Sequence, residues 1–443
     1  MGTDPSGGHP SGTPRQGVVT AGAIPVELAE ACADVVVAGD ADVVAGSRPR
    51  YVAAPASTTE AAALLAAAAT LGLTVVPRGS GSRLDWGSPP ASCDLVVNTR
   101  RLDRVLEHAA GDLVAQVQAG VALDDLAAVL ATSGQRLALD PAGAAELGTG
   151  TIGGVLATNS AGPLRYRFGA PRDLLIGITI VRPDGVIARS GGKVVKNVAG
   201  YDLGKLFAGS YGTLGLITEA TFRLHPLPRA SSWVSLESSD PEAAAEAVHA
   251  ICDSPLWPSA VELDWPSIDA PLAVSVLIEG DEASVTERVG RMRALLGRGT
   301  AGPPLPAGGG RPEANGTCVR VAFWVGQLGS VLSTVRTAAV ANDLDPSIGG
   351  SAGSGVLHVG VAGTAAPKSV ARMVAELRAG LAALSAGSVV PSVASAVVVW
   401  APPEVREVVD VWGPVSSLGL MRSVKDQFDP EHRMAPGRLA GGI

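Results

Sequence analysis

The sequence predicts an α+β fold in two parts, and three patterns along the chain support this prediction. From Tyr51 a strand, an Ala-rich helix and a second strand follow one another, and the second strand runs into a Gly-rich loop. After Arg229 further strand and helix units follow on both sides of a Gly- and Pro-rich segment. With 443 residues, 47% of them hydrophobic, the chain is long enough to bury two or three cores.

Cap and turn residues delimit the elements of the first part. Ser57, with Glu60 three positions later, predicts a capping box at the start of the Ala-rich helix, and Gly72 can end that helix. Arg182-Pro-Asp-Gly185 is a good hairpin turn. The other predicted elements are strands at residues 73–77, 94–98, 113–119, 176–181, 186–189 and 213–224, and a helix at 123–132.

Composition divides the chain into four segments. Residues 1–22 are rich in Gly, Pro, Ser and Thr and predict a disordered tail rather than a signal peptide. The first domain is expected over residues 23–228, the second over 229–400 with a flexible loop at 299–316, and a closing segment over 401–443. Within the second domain and the closing segment we expect two strand–helix units at 272–296 and 319–341, a strand at 355–362, a helix at 368–384, a strand at 396–400, and a helix and tail within 421–439.

Charge and cysteine content exclude several classes of protein. The net charge of −8 and the scattered Lys and Arg residues argue against a nucleic-acid-binding protein. No apolar run reaches the length of a membrane span, so we expect a soluble cytoplasmic protein, with any attachment to the inner face of the membrane peripheral and made through partners. The cysteines, which form no C-x-x-C pair and predict neither a disulfide framework nor an iron–sulfur cluster, are Cys32, Cys93, Cys252 and Cys318.

Two Gly-rich stretches are candidates for binding an anion. The Gly-rich loop, Arg78-Gly79-Ser80-Gly81-Ser82, offers unencumbered backbone N–H groups, two hydroxyls and a positive charge, which together suit a diphosphate; the alternative is a plain turn. A second cluster runs from Gly148 to Gly154 and leads to Asn159-Ser-Ala-Gly162, where a helix is expected to begin. The alternative for its glycines is tight packing of a helix on a sheet. Neither stretch is a G-x-G-x-x-G fingerprint or a P-loop.

Several motifs, taken in chain order, resemble the FAD domain of the vanillyl-alcohol oxidase and p-cresol methylhydroxylase (PCMH) superfamily. They are Pro77-Arg-Gly-Ser-Gly-Ser82, Thr151-Ile-Gly-Gly154, Asn159-Ser-Ala-Gly162, Phe168-Gly169 with Asp173, Gly200-Tyr-Asp-Leu203 and Gly209-Ser-Tyr-Gly-Thr-Leu-Gly-Leu-Ile-Thr-Glu219. The resemblance covers residues 51–228 and implies a two-part PCMH-type FAD-binding domain, followed by an α+β cap domain of the FAD-linked oxidase C-terminal type.

The end of the chain and one internal segment narrow the resemblance. Phe428-Asp-Pro430 with Ala435-Pro-Gly-Arg438 resembles the closing segment of the lactate and glycolate dehydrogenase branch. Residues 195–203, the leader Val44-Ala-Gly46 and the ending 437–443 are most similar to the FAD-binding subunit of the bacterial glycolate oxidase complex, and the neighbouring subunit of that complex is the close alternative.

The resemblance also implies the cofactor and its contacts. The Gly-rich loop would take the pyrophosphate of FAD, residues 151–154 and 159–162 would line the pyrophosphate and the flavin, and the Ile217 backbone would meet the adenosine end. Because the loops lack the His or Cys of covalently flavinylated members, FAD is expected to be noncovalent. The cofactor-binding candidates are Arg78, Gly79, Ser80, Gly81, Ser82, Asp140, Pro141, Thr151, Ile152, Gly153, Gly154, Asn159, Ser160, Gly162, Gly169, Asp173, Gly215 and Ile217.

The second domain departs from the catalytically complete branch. Where that branch has H-x-G-D-G-N-x-H, whose histidines help to hold a metal, this chain has Ser351-Ala-Gly-Ser-Gly-Val-Leu-His358, so no metal is expected. The catalytic candidates are Lys196, Tyr201 and His358. For His358 the alternative is a half-buried histidine on an apolar strand, and beside Lys196 the Arg that the lactate branch often has is replaced by Val195.

Three functions agree with these patterns. The first is an FAD-binding subunit that oxidises glycolate or a similar short 2-hydroxy acid together with a paralogous FAD subunit and an iron–sulfur subunit. The second is a free-standing FAD-dependent 2-hydroxy acid dehydrogenase of the lactate type. The third is a flavoprotein scaffold or electron-relay subunit that has lost its own chemistry, which the degenerate motif favours.

Overall fold

A computed structural model describes residues 23–141, 150–192, 202–297, 299–302, 315–386 and 394–443. Within these ranges the chain forms a four-stranded, a five-stranded and an eight-stranded sheet, together with a short two-stranded pair. Helices cover the sheets, so the α+β architecture predicted from the sequence is confirmed.

The first sheet has the order β1-β2-β4-β3, with β1 antiparallel and the other strands parallel. Its central residues Leu95, Val96 and Val97 are fully buried, as expected of a parallel sheet covered on both sides. Its strands are β1 (Val35–Val37), β2 (Tyr51–Ala53), β3 (Val75–Arg78) and β4 (Leu95–Asn98), and its helices are α1 (Val26–Ala31) and α2 (Thr58–Thr70).

The predicted capping box at the start of α2 is half correct. The Ser57 hydroxyl accepts the Glu60 N–H at 3.0 Å, as predicted. The Glu60 carboxylate accepts the N–H groups of Ala56 and Ala33 instead of the Ser57 N–H, because the chain before β1 packs against this end of the helix. At the other end Gly72 adopts φ +64°, in agreement with its predicted role.

The second sheet is antiparallel with the order β5-β6-β10-β8-β9. Helices pack on one face and bury apolar residues such as Ile180, Phe207 and Phe222. The predicted turn at residues 182–185 joins β8 to β9. The elements of this part are β5 (Val105–Ala109), β6 (Val114–Gln118), α3 (Leu123–Ala131), β7 (Gln135–Arg136), α4 (Ile152–Thr158), α5 (Arg165–Phe168), α6 (Pro171–Leu174), β8 (Leu175–Val181), β9 (Ile187–Gly191), α7 (Leu203–Phe207), β10 (Leu216–Arg223) and β11 (His225–Pro226).

The third sheet, the cap sheet, has the order β15-β12-β14-β13-β17-β18-β16-β19, and neighbouring strands are antiparallel. Four long helices cover one face and share its hydrophobic core. The elements are β12 (Ala230–Ser238), α8 (Pro241–Asp253), β13 (Ala260–Trp265), β14 (Leu272–Gly280), α9 (Glu282–Leu295), β15 (Thr300–Gly302), β16 (Thr317–Ala322), α10 (Leu328–Ala341), β17 (Ser347–Gly350), β18 (Val356–Val361), α11 (Pro367–Ala386) and β19 (Ser395–Trp400).

The opposite face, the inner face of the cap sheet, lies against the first domain. Trp400 stacks on Trp86 with ring centroids 5.8 Å apart. Arg136 makes a two-pronged salt bridge to Glu279, with distances of 2.8 and 2.7 Å. Contacts of this kind hold the inner face close to the elements that carry the Gly-rich loop.

Two expectations about the second domain need correction. The predicted loop at residues 299–316 is partly a strand, because Thr300–Gly302 pairs with β12. Residues 303–314 lie outside the described ranges. The elements β12, α8 and β13 were not predicted; β12 is rich in Ser and carries no clean apolar alternation.

The C-terminal segment contains α12 (Pro403–Arg406) and α13 (Leu418–Phe428) and then returns to β3. Val75 donates its N–H to the Arg433 carbonyl, and Ala435 donates to the Val75 carbonyl, both at 2.8 Å. Because β3 leads into the Gly-rich loop, the tail supports the base of that loop. None of the helices in the described ranges is long and apolar enough to cross a bilayer.

Candidate active site

A cleft opens beside the Gly-rich loop, at the carboxyl end of β3. This is the edge at which sheets with parallel strands commonly bind ligands. The cleft is lined by Pro77, Gly79, Ser80, Gly81, Ser82, Arg83, Leu84, Thr151, Gly154, Ala157, Thr158, Tyr211 and Arg438.

The backbone of the Gly-rich loop is free to bind an anion. The N–H groups of Ser80, Gly81 and Ser82 donate no hydrogen bond to any described residue. Gly81 has φ +85°, a conformation that favours glycine. A Cβ atom on Gly79 would overlap Oγ1 of Thr151, so the loop lies directly against the start of α4. Successive free N–H groups of this kind form an anion-binding concavity.

At the start of α4 the N–H groups have other partners. Thr151 caps the helix and accepts the Gly154 N–H at 3.3 Å. Ile152 donates to the Val121 carbonyl at 3.0 Å, and Gly153 donates to the Ala119 carbonyl at 2.7 Å. The N–H groups of Ile152 and Gly153 are therefore not available to a diphosphate. A Cβ on Gly153 would lie 2.9 Å from that of Ala119, which supports the packing alternative for this glycine.

Two arginines line the cleft, and neither of them is Arg78, the arginine that the sequence singled out. Arg78 pairs with Asp42 at 2.9 Å and is not part of the lining, because its side chain leaves β3 toward the segment before β2. The lining arginines are Arg83 and Arg438. Arg438 is 3% exposed and donates to the carbonyls of Leu84 and Trp86 at 2.8 and 2.7 Å. Burial lowers the pKa of Arg438, yet a guanidinium stays charged in proteins.

Several cofactor-binding candidates from the second Gly-rich cluster lie outside the cleft lining and hold the turn after α4. The Asp140 carboxylate accepts the Leu164 N–H at 3.0 Å, and burial raises its pKa to about 7. A Cβ on Gly162 would overlap the Asp140 carbonyl. Asn159 is left-handed and its side chain accepts the Arg172 N–H at 3.2 Å. Asp173 accepts the Ala170 N–H at 2.9 Å beside Gly169.

The remaining cofactor-binding candidates are buried, and two of the catalytic candidates lie outside the described residues. Pro141, Ser160 and Ile217 are buried and do not line the cleft. Gly215 has φ +154°, and a Cβ there would lie 2.7 Å from the Val181 carbonyl. Lys196 and Tyr201 lie outside the described residues.

The inner face of the cap sheet carries polar side chains in one row. Gly349 of β17 pairs with Asp264 on one side and with His358 on the other, and His358 pairs with Arg320 of β16. Burial raises the pKa of Asp264. At the end of β17 the hydroxyls of Ser351 and Ser354 hydrogen-bond to each other at 3.0 Å. No group of three or more His, Cys, Asp or Glu suited to a metal occurs among the described residues.

Tyr211 connects this face to the cleft, and sequence reasoning did not single it out. Its side chain is a lining residue, and its ring packs edge-on against Trp412 with centroids 5.5 Å apart. Burial raises the pKa of Tyr211, and the charges of Arg320 and Arg438 oppose that rise. Tyr211 and Arg438 both belong to motifs quoted from the sequence, but within those motifs nothing distinguished them from their neighbours.

Residues 49–191 match the family model described as FAD binding domain. The chain has a PCMH-type FAD-binding fold. It superposes on p-cresol methylhydroxylase with substrate bound at a TM-score of 0.70 and 14% identity, covering 93% of this chain and 95% of that one. Alkyldihydroxyacetonephosphate synthase superposes at a TM-score of 0.65 and 17% identity, covering 89% of this chain and 78% of that one. The predicted fold is confirmed.

Curated relatives match 39–50% of the chain at higher identity than the solved structures do. Glycolate oxidase subunit GlcD of Bacillus subtilis is 36% identical over 223 residues, which are 50% of this chain and 47% of the relative. Glycolate oxidase subunit GlcE of Escherichia coli is 38% identical over 172 residues, 39% and 48% of the two chains. D-lactate dehydrogenase of Archaeoglobus fulgidus is 37% identical over 178 residues, which are 40% of this chain and 39% of the relative. The aligned part thus spans less than half of each relative.

Proposed function

We propose that the chain is the FAD-binding subunit of a complex that oxidises glycolate or a similar short 2-hydroxy acid to the 2-oxo acid. The observation that carries this proposal is the cleft, in which free backbone N–H groups and buried arginine charge lie next to Tyr211 and the polar inner face of the cap sheet. An anionic cofactor and a small polar substrate could be held on the two sides of Tyr211.

The residues of the cleft fit the diphosphate of FAD. Ser80, Gly81 and Ser82 present N–H groups without partners among the described residues, and a hydrogen bond to a charged acceptor contributes roughly 1.5–3 kcal/mol. Buried Ser210 Oγ, beside Tyr211, also lacks a partner in the described ranges. The lining residues within the described ranges include no His or Cys, which supports noncovalent attachment. Bound FAD would supply the acceptor for the hydride that leaves C2 of the substrate.

The substrate would lie between this cleft and the inner face of the cap sheet. His358 lies on that face, where its imidazole would act as the base for the hydroxyl proton. Lys196 and Tyr201 stay candidates for contacts to substrate or flavin. The proposal also keeps the domain boundaries after residues 22, 228 and 400. The flavin would lie between the first domain, residues 23–228, and the second domain, residues 229–400.

The complex would contain a paralogous FAD subunit and an iron–sulfur subunit. Two relatives are named as glycolate oxidase subunits. The cysteines form no cluster-binding set, since no group of three or more His, Cys, Asp or Glu suited to a metal occurs among the described residues, and burial raises the pKa of Cys93 to about 12. We place the complex in the cytoplasm, with any contact to the membrane made through the partner subunits.

A second candidate function is a scaffold or electron-relay subunit that binds FAD without its own chemistry. The Ser351 and Ser354 hydroxyls, which occupy positions of the metal-binding motif, hydrogen-bond to each other, and this favours the second candidate. A free-standing lactate-type dehydrogenase fits that pair less well.

The test is glycolate-dependent dye reduction by the FAD-loaded chain alone and by the complex co-expressed with both partners. We expect released, noncovalent FAD after denaturation, slow reduction by the chain alone and fast reduction by the complex. Full turnover by the chain alone would support the free-standing dehydrogenase. Absence of flavin reduction by every 2-hydroxy acid, even in the complex, would support the scaffold.

A further inference from the structure

We infer that the cap sheet, with the helices that cover it, is a lid over the cofactor cleft, and that the salt bridge between Arg136 and Glu279 is the latch that holds this lid shut. The lid would turn about the stacked rings of Trp86 and Trp400, the hinge contact. The inference goes beyond the proposed function, because it concerns access to the cleft and holds for any acid that reacts there.

The latch and the hinge contact lie far apart on the cap sheet. Glu279 belongs to β14 and Trp400 to β19, and the strand order β14-β13-β17-β18-β16-β19 places these two strands five positions apart. Neighbouring strands are about 4.8 Å apart, so roughly 24 Å of sheet separates the two contacts. A sheet that is held at two distant places can be released at one of them and stay attached at the other.

The hinge contact is apolar and lies at the mouth of the cleft. Trp86 and Trp400 are 5% and 8% exposed, and they belong to one buried cluster with Cys318. Tyr211, which lines the cleft, packs against the same cluster. Because the hydrophobic effect is non-directional, a small rotation leaves a contact of this kind largely intact.

The latch, in contrast, is directional. Ile278, the neighbour of Glu279 on β14, is fully buried in the core beneath the helices, so the Glu279 side chain points to the inner face of the cap sheet. There Arg136 donates to both carboxylate oxygens at 2.8 and 2.7 Å, and the two side chains are 17% and 8% exposed. A two-pronged bond requires the right distance and the right plane, so it is lost when the sheet moves away.

The first domain presents Arg136 in a fixed position. β7, which carries Arg136, pairs with β11, and its guanidinium lies 5.1 Å from the centre of the Phe168 ring. Arg167 lies 5.5 Å from the centre of the same ring and donates to the Ser259 hydroxyl, next to β13, at 3.4 Å. Ser259 is fully buried. Two cations and a ring of the first domain therefore meet polar groups of the cap sheet at the latch.

The polar character of the latch favours reversible closure. Interfaces between domains permit relative motion unless they are large and apolar. A buried ion pair contributes little net stability, since desolvation of both charges offsets their attraction, and its best-supported role is to fix one arrangement. The pair of Arg136 and Glu279 therefore selects the closed position without making it permanent, whereas the stacked rings of the hinge contact keep the domains joined.

The experiment follows the reactivity of a thiol placed beside the latch. Ser259→Cys puts a thiol where the closed lid excludes solvent, and the native Cys318 marks the hinge contact. The full chain with Ser259→Cys is treated with a thiol reagent, and mass spectrometry gives the labelling rate at each cysteine. We expect Glu279→Gln and Arg136→Gln, each added to Ser259→Cys, to raise the labelling rate at position 259 by about tenfold or more, while Cys318 stays protected.

Two further variants separate the latch from a general loosening of the fold. Arg136→Lys keeps the charge but loses the planar fork, so it should give an intermediate rate. Arg291→Gln removes an exposed ion pair with Glu287 on α9, on the helical side of the cap sheet, and should leave the rate unchanged. Equal labelling of position 259 with and without the two Gln substitutions would overturn the latch. An equal rise at Cys318 would overturn the hinge, because the whole lid would then detach or unfold.

A second measurement connects the lid to the cofactor. The Arg136→Gln and Glu279→Gln variants, loaded with FAD, should release it faster than the parent chain by a similar factor, seen as a rise in flavin fluorescence on dilution. Faster labelling without faster release would reject the lid as a control of cofactor access. The labelling rates themselves need no bound FAD and no turnover, so they test the latch even if the proposed oxidation is wrong.

Discussion

Lys425 connects α13 and the C-terminal tail to the first domain, and its replacement should strongly destabilise the fold. Its fully buried ammonium group donates to the Thr213 carbonyl at 2.7 Å, to the Asp429 carboxylate at 2.6 Å and to the Met434 carbonyl at 2.9 Å. Lys425→Met removes all three hydrogen bonds and leaves the Asp429 carboxylate buried with only the N–H groups of Arg433 and Met434. Removing one partner of a buried ion pair costs roughly 3–5 kcal/mol.

The expected loss of 3–5 kcal/mol corresponds to a change of about a hundredfold to several thousandfold in the unfolding equilibrium constant. Urea denaturation of the FAD-free chain measures it. The matched control is the double variant Lys425→Met with Asp429→Asn, which replaces both charges and should recover most of the stability. FAD affinity should fall in the single variant, because Lys425 fixes the tail that carries Arg438 to the turn that carries Tyr211. A loss below about 1 kcal/mol in the single variant would refute this role of the buried pair.

Three further predictions concern the cleft and the turn beside it. Gly79→Val should lower FAD occupancy by about tenfold or more, because the new Cβ would overlap Thr151. Gly111→Ala, at a position with open space, should leave the occupancy unchanged. The absorbance of released flavin measures the occupancy of both variants. Arg438→Gln should weaken FAD binding more than Arg78→Gln, since of these two arginines only Arg438 lines the cleft. Equal losses of FAD affinity in fluorescence titrations would return Arg78 to the site. Asp140→Asn should stabilise the chain at pH 8 but not at pH 5. The folded-state pKa of Asp140 is raised to about 7, so the stabilising contribution of the protonated carboxyl is present at low pH and is lost as pH rises through 7. Melting curves at the two pH values test this direction.

The sequence predicted the parts of the site that depend on local pattern. The Gly-rich loop was recognisable because an apolar strand ends at residues that combine small size with free N–H groups. The direction of the Arg78 side chain was not recognisable, since it depends on Asp42, which precedes it by a whole strand and helix. The lining position of Arg438 could not be derived either, because it requires the tail to return to β3. In the second domain β12 was missed because its many Ser residues hide the alternation.

The positive charge of the cleft is local, and the way it is held explains how an acidic chain can bind anions. The chain carries 42 Asp and Glu against 34 Lys and Arg, so its overall charge repels both FAD and 2-hydroxy acids. Arg438 avoids neutralisation because its partners are the carbonyls of Leu84 and Trp86, and none of the described carboxylates forms a salt bridge with it. Carbonyl dipoles fix the orientation of the guanidinium without cancelling its charge. Burial then makes that charge costly until an anion arrives, so the free energy of ligand binding includes relief of this cost.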